Sequence, residues 1–460
     1  VIELYPHQIT QMMDPVRTAF IRGFKRPCLV GPTGSGKTRV FAAITEGARD
    51  KGNTVAILAH RVELIDQIDS ALQDLGIHAD IVASGFERRE SPVMLASVHT
   101  LIRRLDRIAP PTLVIVDECH HAAGSNTWGS ILTRWSASKR LGVTATPIRL
   151  DGKGLATHFD TLVLGPTVQD LVDAGYLARP RVFAPPSIDT SGLHTLAGEF
   201  IAKETEERAN KPSVTGDALS HYRQHAGGRP ALAFCVSVKH ASDVATQFRD
   251  AGYTAVMLKG GMDRQMRREA LADFKRGAIQ VITSVDIFSE GVDAPGVHCG
   301  IFLRPTQSLG LWRQQVGRIM RPAPGKDFAI LLDHAGNCVR HGLPTEEPAW
   351  ALTYDETKRK KTASISVRVC PKCFAASSAR ALTCSNCGER FKESARSTVE
   401  EREGELVEVT PAMLAAKAAR REQGRARTLE ELKAFEKMRG FKPGWADHVY
   451  QARMAKMSGR

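Results

Sequence analysis

Aromatic residues are scarce in this chain: Phe, Tyr and Trp make up 6% of its 460 residues. No apolar run approaches the roughly 18–20 residues that cross a bilayer, so helical membrane spans and a membrane partner are not expected. The opening VIELYPHQIT has no basic stretch leading into an apolar one. No secretory signal is read there, and a cytoplasmic protein is expected. Cysteine is too sparse and too unevenly placed for a disulfide scaffold. Cys28, Cys119, Cys235, Cys299 and Cys338 stand singly, whereas Cys370/Cys373 and Cys384/Cys387 form two CxxC pairs. An odd total of nine, with two such pairs, points to a metal site in a reducing compartment. Acidic residues are in deficit, and the formal net charge is +13. Residues 351–460 hold 23 Lys+Arg against 14 Asp+Glu, a net of +9, leaving +4 for the first 350. A basic C-terminal quarter suits a polyanion, most simply nucleic acid; a solvated charged tail is the alternative.

The chain has ordinary globular content, 42% hydrophobic and 25% charged, and enough length for two or three domains. From 27 to 147, PCLVG, TVAILAH, PVMLASV, TLVIVDE and KRLGVTA read as strands. Each is apolar nearly throughout, as parallel strands buried on both faces are. Helical stretches such as Thr38–Arg49 and Arg61–Leu75 lie between them. A second series (ALAFCVSV, YTAVMLK, IQVITS, VHCGIFL, DFAILLD) begins near 229, with helices expected at about 239–250, 263–275 and 308–320. The pattern predicts an α/β protein of two doubly wound parallel-sheet domains in tandem.

GPTGSGKT at 31–38 fits GxxxxGK[ST] between a strand and a helix. Thr33, Gly34, Ser35 and Gly36 would turn backbone N–H groups toward phosphates at a helix N-terminus. Lys37 would reach the β- and γ-phosphates of ATP, and Thr38 would hold Mg²⁺. The strand TLVIV ends in Asp117-Glu118-Cys119-His120. Asp117 there suits Mg²⁺, and Glu118 suits orienting and deprotonating the attacking water.

GxxxxGKT, then DECH, then Thr144-Ala145-Thr146-Pro147 resembles a superfamily 2 helicase of the DExH type. LAHRVELIDQ (58–67), SVHTL (97–101), ALAFCVSVKHA (231–241), SVDIFSEGVDAP (284–295) and QQVGRIMR (314–321) are similar to that superfamily's motifs Ia, Ib, IV, V and VI, in its order. With TATPIRLDGKGL and a cysteine module behind the motor, the chain is most similar to the bacterial and phage RadD-like branch, related to the XPB-like motors. The resemblance implies two RecA-like domains with ATP between them. It implies Arg318 and Arg321 as arginine fingers, Gln314 and His120 as water-positioning groups, and Asp293 at the ribose or metal shell. Gln8 would read adenine, with Tyr5 and His7 standing where the family carries other residues. Thr144 and Thr146 would couple hydrolysis to domain movement. Arg61, Ser97, Thr100, Thr283 and Ser284 would hold nucleic-acid phosphates.

On this reading residues 1–180 form the ATP-binding RecA-like domain and 181–228 a linker region. Residues 229–350 form the second such domain and 351–366 a basic linker. Residues 367–395 form a zinc ribbon and 396–460 a charged helical tail.

Cys370, Cys373, Cys384 and Cys387 give C-x₂-C-x₁₀-C-x₂-C, which suits tetrahedral thiolate ligation of Zn²⁺. Arg368, Lys372, Arg380 and Arg390 around it lean toward nucleic acid, with a partner protein or folding of the tail as the alternatives. Thr410-Pro411 resembles a helix start; Thr428 with Glu431 fits a capping box and Gly440 a stop. Phe441 and Trp445 in the basic FKPGW segment suit either a stacking platform for single strands or an apolar anchor. The expected activity is ATP-dependent movement on DNA in replication, recombination or repair, with partners reached through the ribbon or tail. An RNA helicase, or a duplex-DNA translocase or clamp without strand separation, remains the alternative.

Overall fold

The computed structural model describes residues 3–122, 126–148, 154–184, 193–196, 199–209, 218–285, 296–353, 367–391 and 428–458. It divides into two compact units, Val1–Lys392 and Glu393–Arg460.

The first unit is built on two sheets. One contains β1 (Pro27–Val30), β2 (Val55–Ala59), β3 (Asp80–Val82), β4 (Val93–Ser97), β5 (Leu113–Asp117), β6 (Lys139–Thr144) and β7 (Thr161–Leu164), in the order β3-β4-β2-β5-β6-β1-β7. Every pairing in it is parallel. β1, β2, β4 and β5 are buried along their whole length, which is why they read as continuous apolar runs. One face of this sheet packs Met12, Phe41 and Ile65; the other packs Trp128, Trp135 and Phe159.

The second sheet holds β8 (Arg179–Phe183), β11 (Ala231–Phe234), β12 (Ala255–Leu258), β13 (Val281–Ser284), β14 (Cys299–Phe302) and β15 (Phe328–Asp333). Its order is β12-β13-β11-β14-β15-β8, again wholly parallel. Two RecA-like α/β lobes in tandem are therefore present, as the strand series predicts. The edge differs from the sequence reading. β8 pairs along β15 and so belongs to the second lobe, although 179–180 fall in the expected first domain and 181–183 in the expected linker. Pro180 in an edge strand hides this: it lacks an N–H, and such residues are tolerated where one side of the strand is unpaired. The expected linker also forms a small hairpin, β9 (Thr195–Leu196) with β10 (Glu199–Phe200), and the helix Ala202–Ala209.

After the second lobe, β16 (Val367–Val369) and β17 (Ala376–Ser378) pair antiparallel in the cysteine module. The module extends the free edge of β8: Phe183 bridges Ala375, and the Ala184 amide donates to the Phe374 carbonyl at 2.8 Å. Cys370 and Cys384 share an apolar cluster with Phe183 and Tyr222 of the lobe.

The second unit, considered by itself, is a helical hairpin of Leu429–Arg439 and Trp445–Ser458. The Thr428 hydroxyl accepts from the Glu431 amide and the Glu431 carboxylate from the Thr428 amide, a complete capping box. Gly440 ends the first helix at φ 68°, a left-handed conformation that favours glycine. The expected helix start at Thr410-Pro411 lies outside the described residues.

Candidate functional site

The cradle follows β1 directly and opens the helix Lys37–Arg49. Gly34 and Gly36 take φ of 93° and 81°. A Cβ on Gly36 would sit 1.9 Å from Gln8 Nε2, so this glycine is what lets Gln8 lie against the loop. Gln8 Nε2 donates to the Ser35 carbonyl at 3.2 Å, and Gln8 Oε1 accepts from the Tyr5 amide at 3.0 Å. Tyr5 and His7 both pack on Tyr176, with ring centroids 4.9 and 4.3 Å apart. Gln8 is thus fixed to the phosphate loop beside an aromatic pile.

Lys37 Nζ donates to the carbonyls of Gly31 and Pro32 at 2.9 and 3.1 Å, which parks the ammonium over the loop. Thr38 follows it, half-buried, in the first turn of the helix. Burial lowers the Lys37 pKa, opposed by Glu118 and Asp117. Asp117 closes β5, and burial, then the Glu118 charge, push its carboxyl up to about 7. Glu118 adopts φ 48°, ψ 49°, a left-handed conformation that costs a non-glycine residue about 1–2 kcal/mol. The twist brings its carboxylate to 3.3 Å from His120 Nδ1.

His120 Nδ1 also lies 3.0 Å from the Thr144 hydroxyl. That hydroxyl donates to the Thr146 carbonyl at 3.0 Å and accepts from the Thr146 amide at 3.1 Å. With its hydrogen so committed, Thr144 Oγ1 accepts from His120, which places the imidazole proton on Nδ1. Glu118, His120, Thr144 and Thr146 therefore form one chain of polar contacts.

The second lobe reaches this site with the helix Leu309–Ile319, capped by Ser308, whose hydroxyl accepts from the Leu311 amide. Gln314 and Arg318 are buried on it. Gly317 faces the loop: a Cβ there would fall 2.4 Å from Thr33 Cβ. Gly310 approaches the Thr146 hydroxyl, and a Cβ on Gly34 would lie 3.9 Å from Arg321 Cγ. The structure thus brings Arg318 and Arg321 close to Lys37 and the cradle although nearly 300 residues separate them in sequence, with Gln314 buried on the same helix.

Two residues that the sequence reading missed hold this helix at its ends. Glu199, from the hairpin, accepts from the Thr306 hydroxyl at 2.6 Å and from the amides of Ser308 and Gln307 at 2.7 and 3.0 Å. Lys326 Nζ donates to the carbonyls of Val297 and Arg321, both at 2.6 Å, and to that of Ile319. Each complements the helix dipole, an anion at the N-terminus and a cation at the C-terminus. Neither residue carries a sequence signal that marks this role.

The expected strand contacts divide. Arg61 is half-buried before the helix Val62–Gln73, and Thr100 is half-buried in the short helix Val98–Leu101. Ser97 is buried. Thr283 departs from its expected role: it is fully buried and its hydroxyl donates to the Ala241 carbonyl at 2.7 Å, tying β13 to the helix Val238–Asp250. Ser284 is buried as well. Asp293, with most of its motif, lies outside the described residues.

In the ribbon the four cysteine sulfurs lie within 4.8 Å of one another. The Asn386 amide donates to Cys384 Sγ at 3.4 Å and its side chain to Cys373 Sγ at 3.5 Å. Burial raises the Cys373 thiol, but the hydrogen bonds from Asn386 and the Ala375 amide outweigh it and bring the group down to about 7. A clustered thiolate set with N–H donors aimed at sulfur fits Zn²⁺. Of the flanking charges, Arg368 donates to the Ala381 carbonyl, and Lys372 lies 3.9 Å from Glu389 at the surface.

Comparison with known proteins adds the following. The family model described as type III restriction enzyme, res subunit, matches residues 1–149, and the helicase conserved C-terminal domain matches 211–323. A 51.5 kDa protein of Lactococcus phage is 34% identical over 362 residues, covering 78% of this chain and 77% of the relative. The Saccharomyces cerevisiae protein named "Putative ATP-dependent helicase IRC3" is 29% identical over 70% of this chain, which spans 50% of that relative's length. Among solved structures, the restriction-modification enzyme LlaBIII bound to DNA has a TM-score of 0.54 at 17% identity, covering 76% of this chain and 28% of its own. Saccharomyces cerevisiae Dbp5 bound to RNA and ADP BeF3 has a TM-score of 0.51 at 16% identity, covering 73% and 88%. At these identities the structures speak for the fold.

Proposed function

The chain belongs to the superfamily 2 helicases, and from that premise we propose that it couples ATP hydrolysis to movement along DNA, as a member of the superfamily's bacterial and phage RadD-like branch. The phage relative and the cysteine module behind the motor support that branch. One observation carries the motor reading. The helix that bears Gln314 and Arg318 sits on the cradle through Gly317 and Thr33, so the ATP site is composed of both lobes.

In this reading Lys37 leaves the loop carbonyls for the β- and γ-phosphates when ATP enters, and Gln8 reads the adenine edge. Thr38 and Asp117 would hold Mg²⁺, which shields phosphate charge when bound. Glu118 orients the attacking water and draws its proton, with His120 and Gln314 fixing its position. Arg318 and Arg321 meet the charge that develops on the γ-phosphoryl group, an interaction made only while the cleft is closed. Product loss removes that bridge. The Thr144–Thr146 contacts run beside Gly310 and pass the change to the second lobe. Arg61, Ser97 and Thr100 contribute strand contacts on the first lobe.

A forked DNA duplex with a labelled strand tests this. Wild-type protein is expected to displace the strand with ATP, and Lys37→Ala to displace none. ATP turnover without displacement would replace strand separation by duplex translocation or an ATP-switched clamp.

A further inference from the structure

Beyond β15 the chain does not leave the motor directly. The segment 343–352 runs from the second lobe back to the first. Leu343 packs on the apolar cluster that contains Trp312 and Val316. Trp350 packs on that same cluster and on the first lobe's cluster of Leu155 and Phe159, which Leu352 also joins. The Ala156 amide of the first lobe donates to the Leu352 carbonyl at 3.2 Å.

Midway, the segment grips the helix Leu309–Ile319 through Arg313. Arg313 Nη2 lies 2.7 Å from the Glu347 carboxylate, and Nη1 donates to the Glu346 carbonyl at 3.3 Å. Its guanidinium is 5.5 Å from the centre of the Trp350 ring, while Trp350 Nε1 donates to the other Glu347 oxygen at 2.8 Å. Side-chain exposure at the ion pair is 10% for Arg313 and 31% for Glu347, so the pair is only partly screened. Below it is a cavity of about 350 Å³ walled by Pro32 and Thr33 of the cradle and by Val316 and Gly317 of the helix.

We propose that residues 343–352 are an interlobe clasp, with Glu347 and Trp350 as positioning residues. Through Arg313 they hold the Gln314–Arg318 helix against the cradle and favour the closed cleft. The reason is geometric. The clasp touches both lobes, so its contacts to Ala156 and to the first lobe's cluster break when the lobes separate. Each contact made only in the closed form shifts the lobe equilibrium toward closure by its own free energy. ATP then meets a cleft that is already partly assembled, and the finger helix needs less ordering. Arg313 lies next to Gln314 on that helix, so loosening the clasp acts on the fingers without touching the phosphates.

The proposal rests on the ATP-motor reading for its kinetic consequence, and one arm of the test does not depend on it. Dyes placed through unnatural amino acids at exposed Lys51 of the first lobe and Arg276 of the second report lobe separation by energy transfer. In the full-length protein without nucleotide, Glu347→Gln and Trp350→Ala are each expected to lower transfer relative to wild type. In ATP hydrolysis both are expected to raise KM by about fivefold, the net worth of one ordinary hydrogen bond, with kcat unchanged or higher. Glu347→Asp should recover most of the effect. A merely structural role predicts the opposite split, a lower kcat at constant KM with transfer unchanged, and that outcome overturns the clasp. So does unchanged transfer in both variants. If wild type hydrolyses no ATP, the motor reading fails, and the energy-transfer arm still decides the clasp.

Discussion

Single atoms decide several contacts in the ATP site. Gly317 is the sharpest case, because any side chain there meets Thr33. Gly317→Ala is expected to leave the fold intact and to cut nucleic-acid-stimulated ATP turnover at least about tenfold, since a finger displaced by an ångström loses its alignment. Thermal melting together with a turnover assay checks both halves, and full turnover would show that the two lobes do not meet there during hydrolysis. Buried histidines set a second residue-scale expectation. Burial brings His240 down to about 4; burial and the His221 charge bring His334 down to about 3. Both folded values lie below the ordinary histidine value of about 6.5. Their contribution is therefore complete above about 6.5 and drains away as pH falls toward 4 and 3, because only the unfolded chain takes up the proton. Each can cost up to ~1.4 kcal/mol per pH unit in that window. Urea unfolding of the second lobe at pH 7 and pH 5 measures it, and His240→Asn should flatten the dependence.

Among elements, the ribbon is placed by an edge that sequence patterns barely mark. Strands buried on both faces, such as β1 and β11, are continuous apolar runs and are legible without a structure. β7 ends in Leu164, which is 56% exposed, and β8 carries Pro180 and alternating arginines, so neither stands out from a loop. Motif residues read the same way: Lys37, Asp117 and Glu118 announce themselves by spacing, whereas Glu199 and Lys326 act through distant backbone groups. Thr283 shows the converse limit, a motif position whose hydroxyl is consumed by Ala241. In the helical hairpin Phe441 and Trp445 face each other at 4.5 Å, with Phe441 41% exposed, so they pack together at the turn while keeping an open ring edge. The ribbon yields a direct expectation. Strong chelation, or Cys373→Ser with Cys387→Ser, should remove about one zinc per chain. Hydrogen exchange at the Ala184 amide should then rise, because the module that accepts from it unfolds. Unchanged protection there would mean that the ribbon keeps its shape without metal.

At the scale of the whole molecule, two lobes each fold around their own sheet, and in the proposed mechanism the nucleotide site they share makes ATP a switch for lobe separation. In the proposed mechanism the first lobe would supply the cradle, the metal carboxylate and the water-orienting pair, and the second the charge that completes them. Such a division would make hydrolysis and movement inseparable and would give a nucleic-acid strand lying across both lobes control over turnover. The basic C-terminal quarter, with a net of +9 over residues 351–460, would add long-range attraction to such a strand. The most direct measurement is steady-state ATP turnover by the full chain with single-stranded DNA, duplex DNA, forked DNA and RNA, alongside Lys37→Ala. Turnover is expected to rise with DNA, to rise less with RNA, and to vanish in Lys37→Ala on every polynucleotide. Turnover that no polynucleotide raises, or that survives in Lys37→Ala, would contradict the motor.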